Sequence, residues 1–138
     1  MAALTENRNT AERSCHGIEL HRVFPENPRK KLFIGAIAAL DPKTGLVEPA
    51  INDRNLIVVG RVEKFDVYNK TVVIKTGMFC YDNAEGPLKL TLGHINRMCM
   101  IVDDHTVGCF IPGITNLRAG IMRDIGPDGQ IVVELGLL

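Results

Sequence analysis

The chain has 138 residues, of which 46% are hydrophobic, and 16 basic residues balance 16 acidic ones to give a formal net charge of zero. A chain of this length buries roughly two thirds of its unfolded surface, so one domain can fold without metal or disulfide staples. The balanced charge argues against direct nucleic-acid binding, which requires a basic excess to displace counterions. Aromatic residues make up only 5% and tryptophan is absent, so we expect an aliphatic core built from sheets.

Residues 1–31 are predicted to be an extended N-terminal arm, because they carry no sustained apolar period. Charged and small polar residues dominate, and Ile18, Leu20 and Phe24 are isolated apolar anchors. Six basic and four acidic residues give the arm +2, which leaves ten against twelve, or −2, for residues 32–138. These opposite signs suit an arm that lies on another copy of the body. The anchors would then add a strand to an exposed sheet edge, although the arm could equally fold back on its own domain.

A basic cluster ends the arm, immediately after Pro28. Solvated surface residues are one interpretation of it, and contact with an acidic patch on a partner is the other. Together with the apolar anchors, this cluster supplies our predicted partner-binding residues. They are Ile18, Leu20, Phe24, Arg29, Lys30 and Lys31.

Residues 32–138 are predicted to form a β-rich domain, because apolar runs of strand length alternate with turn sequences. Gly60 and Gly77 inside two of these runs indicate bulges or bends in a strongly curved sheet. Thr91 is placed to cap one short helical turn. We therefore predict an all-β fold, a small compact β-barrel or β-sandwich of about eight short strands with at most one short helix. The predicted strands are 32–40, 46–47, 56–67, 71–81, 98–102, 107–111, 119–125 and 130–135.

Residues that could carry catalysis do not form a recognised constellation. The only serine, Ser14, lies in the polar arm, and no glycine-rich phosphate loop is present. Asp103, Asp104 and His105 could form an acid–base cluster, but ordinary turn chemistry explains them, and neighbours in an extended chain point to opposite faces. We predict no catalytic residue, no cofactor and no metal. The alternative is a small metal-dependent enzyme that uses Asp103, His105 and Cys109.

The cellular setting follows from the cysteines and from the apolar runs. The four cysteines show no zinc-knuckle spacing, and we interpret them as reduced thiols of a protein made in the cytoplasm. The N-terminus contains no apolar segment of the secretory type, so we expect no signal peptide. The longest apolar run, Leu32–Leu40, is far too short to cross a bilayer, so we expect no membrane partner.

Six segments carry a likeness to a known family through their order and spacing, and none of them is a catalytic signature. They are ALTENRNT at 3–10, GAIAALD at 35–41, VVGRVEKFDV at 58–67, VVIKTGMFCYDN at 72–83, MCMIVDDHTV at 98–107 and RAGIMRDIGPDGQIVVELG at 118–136. In this arrangement the chain resembles the small capsid decoration, or cement, proteins of tailed bacteriophages. The resemblance covers most of the chain.

The resemblance implies a non-enzymatic protein of the virion, made in the host cytoplasm, that binds the outer surface of an assembled capsid. Its implied partners are the major capsid protein and further copies of itself, commonly as a trimer. A protein that binds the assembled shell, but not its separated parts, stabilises the shell by its binding free energy. An arm that reaches a neighbouring subunit adds avidity. Another virion component, such as a head fibre base or a tail protein, is the nearest alternative.

Overall fold

The computed structural model describes residues 2–8, 10, 12–13 and 21–135. Within these residues the chain is all-β, which confirms the predicted fold class. Two short 3-10 turns, Gly86–Leu88 and Leu92–His94, are the helical elements of the described chain. The strands are β1 Glu12–Arg13, β2 His21–Pro25, β3 Ile37–Asp41, β4 Leu46–Pro49, β5 Ile57–Asp66, β6 Thr71–Lys75, β7 Gly77–Asn83, β8 Met98–Ile101, β9 Thr106–Gly108, β10 Arg118–Ile125 and β11 Ile131–Leu135.

The strands form two sheets that have the same connectivity. The first sheet has the order β2-β6-β5-β3-β4, and the second has the order β1-β7-β11-β10-β8-β9. Apart from β1, which adds to the edge of β7, every strand number in the second order is higher by five. Parallel pairing of β7 with β9 closes the second sheet into a barrel. In the first sheet a parallel bridge from Glu26 to Val47 joins the two edges. We call residues 21–75 the first barrel and residues 77–135 the second barrel.

The irregularities of the two barrels also correspond. Strands β5 and β10 each carry a register shift in both of their pairings. Gly60 in β5 and Gly120 in β10 hold the same position in the pairing register of their barrels. A Cβ on Gly60 would collide with the backbone oxygen of Lys75, and a Cβ on Gly120 would collide with that of Glu134. Only glycine permits such a close approach of two strands. The chain is therefore a tandem of two barrels that share one architecture.

Two apolar clusters form the core, and the cluster of the second barrel also includes residues of the first. Alternate residues of β3 face opposite sides, as pleating requires. Ala38 belongs to the interior of the first barrel, while Ile37 and Ala39 pack with the core of the second. The interior of the first barrel consists of Ala38, Val47, Val62, Val72 and Ile74, and the corresponding positions in the second are Cys99, Val107, Met122, Ile131 and Val133.

Three expectations about individual elements differ from the structure. The predicted strand 71–81 is two strands in different sheets, because the chain leaves the first barrel after Lys75 and Gly77 turns it with φ +145°. The predicted strand 32–40 begins only at Ile37, because the backbone turns at residues 34–36, where the Ala36 amide donates to the Phe33 oxygen. The predicted boundary at Lys31 falls inside the first barrel, since β2 pairs along the whole of β6.

Candidate interaction surfaces

The beginning of the arm is bonded to its own chain and contacts both barrels. The backbone amide of Leu4 donates to the two carboxylate oxygens of Asp104 at 2.9 and 3.1 Å. The Arg8 guanidinium donates two hydrogen bonds to Asp82, at 3.0 and 2.7 Å, while the Arg8 amide donates to the oxygen of Ile34. These contacts use backbone groups and charged pairs, so a polar segment can be held without an apolar face of its own.

Thr10 is the buried end of this docked segment. Its hydroxyl donates to the Gly35 oxygen at 3.0 Å and accepts a bond from Arg61 Nε. The Tyr81 hydroxyl donates to the same Gly35 oxygen at 3.0 Å, and burial raises the pKa of Tyr81, so it remains a neutral donor. Gly35 has φ +94°, and a Cβ there would collide with the Arg8 oxygen. A glycine at this position therefore lets the arm approach the body.

Asp103, Asp104 and His105 are brought together, contrary to the expectation that they point to opposite faces. They lie in a bend after β8 rather than in a strand, and His105 Nδ1 is 3.1 Å from Asp103 Oδ1 and 2.9 Å from Asp104 Oδ1. Asp104 is fully buried, and burial raises the pKa of its carboxyl while the hydrogen bond from His105 opposes that rise. Because the Leu4 amide donates to both oxygens of the Asp104 carboxylate, this group of side chains holds the start of the arm in place.

Cys109 does not join this group. Its thiol donates to the oxygen of Pro87 at 3.4 Å. The ligand atoms of Asp103, Asp104 and His105 lie within 4.8 Å of one another, and no other such group of three occurs in the described ranges. The metal or catalytic alternative built on Asp103, His105 and Cys109 is therefore not assembled as one site.

The apolar anchors predicted for the arm have different positions. Ile18 and Leu20 lie outside the described residues. Phe24 lies on β2, where it is half-buried and packs against the core of the first barrel. Its ring therefore contacts its own domain.

The basic cluster lies at the surface of the first barrel. Lys30 Nζ is 2.7 Å from a carboxylate oxygen of Glu48, whose side chain is buried. Arg29 and Lys31 are exposed, and Lys31 Nζ stands 5.0 Å from the ring centroid of Phe33, within the range of a cation–π contact. Arg29 and Lys31 therefore present positive charge to solvent.

An apolar tip beside this cluster was missing from the sequence interpretation. Val67 and Tyr68, at the turn between β5 and β6, are 86% and 95% exposed. An open cleft of about 350 Å³ separates this hairpin from the basic segment. The signal in the sequence is a valine and a tyrosine at a turn, where polar residues are the rule. We call this region the tip surface, and it comprises Arg29, Lys31, Lys64, Val67 and Tyr68.

The second barrel has a cleft of opposite character beside its equivalent hairpin. This cleft has a volume of about 720 Å³, and Asp82, Glu85 and Asp128 lie in its lining together with one base, Lys89. The Arg8 guanidinium lowers the pKa of Asp82, so that carboxyl stays ionised. We call this cleft, bounded by Asp82, Glu85 and Asp128, the acidic cleft.

Comparisons with protein-family models, with curated proteins and with solved structures found no match to this chain. Across the described ranges, no helix has the length and apolar character needed to cross a membrane. Interpretation of function therefore depends on the surfaces described above and on the resemblance of the six segments.

Proposed function

We propose that this chain is a non-enzymatic structural protein of a tailed-phage particle, which binds the outer surface of the capsid and stabilises it. The structural observation that supports the proposal is the tip surface. Val67 and Tyr68 are almost fully exposed, across an open cleft from the basic segment that carries Arg29 and Lys31. Protein–protein interfaces are enriched in tyrosine and arginine.

The sequence predicted that an arm of residues 1–31 contacts neighbouring subunits; in this proposal its basic end does so from the surface of the first barrel. Arg29 and Lys31 are exposed, whereas Leu4 and Arg8 are bonded to their own chain. The start of the arm then holds the two barrels together, and the basic residues that follow β2 contact a partner. A decoration protein at 100 times its dissociation constant stabilises the shell by about 2.7 kcal/mol per site.

The geometry around Asp104 supports a structural role over a catalytic one. A general acid or base must lie within hydrogen-bond reach of a substrate. Asp104 is fully buried, and its carboxylate oxygens are hydrogen-bonded to the Leu4 amide and to His105 Nδ1. This carboxylate therefore stabilises the fold and the arm.

The proposal is tested by co-sedimentation with shells assembled from the major capsid protein of the same genome. Tyr68→Ala and the double variant Arg29→Glu/Lys31→Glu are compared with Lys43→Glu, which changes an exposed lysine in the turn between β3 and β4. We expect both tip variants to bind shells at least tenfold more weakly and Lys43→Glu to bind normally. Equal binding by the wild type and all three variants would contradict the proposal.

Two alternatives have their own experiments. Another virion component, such as a head fibre base or a tail protein, would place the chain elsewhere on the particle, which electron microscopy of labelled particles shows directly. The metal-dependent alternative is favoured only by the proximity of Asp103, Asp104 and His105. Stoichiometric zinc in the purified protein, lost in His105→Ala, would overturn the structural assignment.

A further inference from the structure

We infer that the tip surface of one copy of this chain docks into the acidic cleft of a second copy, so that the copies associate head to tail. The two surfaces lie on different barrels, and each copy would use both. The inference deepens the proposed function and rests on its claim that copies of the chain associate. It does not depend on the capsid.

Two equivalent hairpins carry different residues at their tips. Lys70, with φ +54°, and Gly129, with φ +84°, close the turns between β5 and β6 and between β10 and β11. At these equivalent tips the first barrel carries Val67 and Tyr68, whereas the second carries Asp128. The same hairpin therefore presents exposed apolar side chains in the first barrel and an acidic side chain in the second.

The two surfaces carry opposite charge. The tip surface has an excess of exposed bases. Two acids lie beside it, Glu26 in the lining of its cleft and Asp66, whose carboxylate is engaged by Asn69. The acidic cleft has three carboxylates against Lys89, and one of the three, Asp82, is paired with Arg8. Complementary potentials of this kind orient partners and suppress incorrect ones. The exposed bases near the tip are Arg29, Lys31, Lys64 and Lys70.

The acidic cleft also suits the tip surface in shape and polarity. Ala84 and Leu88 add apolar lining to the acidic cleft, which is open and has a volume of about 720 Å³. A tyrosine ring buries about 150–250 Å² and uses its hydroxyl as a hydrogen-bond donor, so it suits a pocket with an apolar wall and a carboxylate rim. Tyr68 would donate to Glu85 or Asp128 while its ring covers Leu88. An aromatic anchor in such a pocket is the usual centre of binding energy.

The symmetry of the contact follows from its two different surfaces. A head-to-tail contact leaves one unused tip surface and one unused acidic cleft after each addition, so it closes into a ring or continues as a filament. The net charge of zero provides little general repulsion between copies. The contact should weaken as salt screens the exposed charges.

The test measures self-association of the full chain by sedimentation velocity, over a concentration series and at low and high salt. The tip variant is Lys64→Glu/Tyr68→Ala. The cleft variant is Glu85→Lys/Asp128→Asn, in which asparagine keeps the acceptor for the Gln130 amide. Lys43→Glu is the control. We expect each surface variant to raise the dissociation constant of self-association at least tenfold, and the control to match the wild type.

Mixing gives the decisive result. The tip variant keeps an intact acidic cleft, and the cleft variant keeps an intact tip surface, so an equal mixture should form dimers and stop there. Failure of the mixture to form dimers, growth of either variant like the wild type, or a wild type that remains monomeric at about 1 mM would each overturn the inference. Matched circular dichroism spectra and unfolding midpoints establish that the variants are folded.

Shell binding by the same variants separates this inference from the proposed function. If the tip variant loses shell binding but still self-associates, the tip surface meets the shell protein, and the head-to-tail contact is overturned while the proposed function stands. If both variants lose self-association and the wild type does not bind shells, the contact stands and the proposed function fails.

Discussion

The backbone amide of Leu4 donates to both carboxylate oxygens of Asp104, one hundred residues further along the chain. Asp104 is fully buried, and the Leu4 side chain packs against the core of the first barrel. A single residue of the arm therefore satisfies a carboxylate of the second barrel while it contacts the first. This bond makes the arm part of the folded unit.

Asp104→Ala should release the start of the arm. The substitution leaves the Leu4 amide without its acceptor, and a buried unsatisfied group costs about 1–3 kcal/mol. Trypsin cleavage after Arg8 should become about 5- to 100-fold faster, while the barrels stay folded. Asp53→Ala is the control, because Asp53 Oδ1 accepts a bond from the Asn55 amide within one loop. Similar cleavage rates in the two variants would contradict this role of Asp104.

Gly35→Ala should displace the arm through a collision as well as through backbone strain. The new Cβ would meet the Arg8 oxygen, and φ is +94°. Gly45→Ala is a matched control, because φ is +72° there but nothing lies within 4 Å of the Cβ. Strain alone costs about 1–2 kcal/mol. Urea unfolding should show a larger loss of stability for Gly35→Ala than for Gly45→Ala. Equal losses would show that the close approach of Gly35 to Arg8 does not contribute to stability.

The Arg8–Asp82 pair should make the arm sensitive to acid. Arg8 lowers the pKa of Asp82 below its unfolded value, so the pair stabilises the folded state above pH about 4 and loses this contribution as the pH falls through the folded pKa. Asp82→Asn should therefore be less stable than the wild type at pH 7, and the difference should disappear under acid. Thermal unfolding between pH 3 and 7 measures it, and a constant difference would contradict the assignment.

Asp104 should act with the opposite sign. Burial raises the pKa of its carboxyl, so the contribution of Asp104 is greatest below the unfolded pKa and declines as the pH rises through the folded pKa. Asp104→Asn removes this titration. The stability of the wild type relative to Asp104→Asn should therefore fall as the pH rises, and the same pH series of thermal unfolding detects the trend. A relative stability that rises with pH would show that the carboxylate is preferred at this site.

Two truncations should separate the arm from the first barrel. Removal of residues 2–10 deletes hydrogen bonds to the barrels but no barrel strand, so circular dichroism should show an intact β fold with a lower unfolding midpoint. Removal of residues 2–25 also deletes β2, which exposes the edge of β6 and the core beneath Phe24. This longer truncation should unfold or aggregate. A folded product would show that β2 is dispensable.

Features that depend on neighbouring residues were predictable from the sequence. The hairpin turns at Tyr68–Asn69–Lys70 and at Gly126–Gly129 occur where the turn chemistry places them, and the irregularity expected at Gly60 lies in β5. Gly77 differs, because it lies where the chain passes from one sheet to the other and not in the interior of a strand. The all-β class follows from the same patterns. Both the alternation of apolar residues and the placement of turn residues are properties of a few consecutive positions.

The site depends on pairs that are far apart in the sequence, and no local pattern specifies them. Leu4 bonds to Asp104 across a separation of 100 residues, and Arg8 bonds to Asp82 across 74. The duplicated strand order was missed for a related reason, since Gly60 and Gly120 correspond through pairing register rather than through a repeated motif.

The amino-acid sequence was sufficient for the fold class, the turns and the polar character of the arm, because these depend on short-range backbone preference and on composition. Folding determined where the arm lies, which acids gather around His105, and which side chains remain exposed at the tip of the first barrel. Those features arise from long-range contacts, in which a buried polar group must find its partner anywhere along the chain.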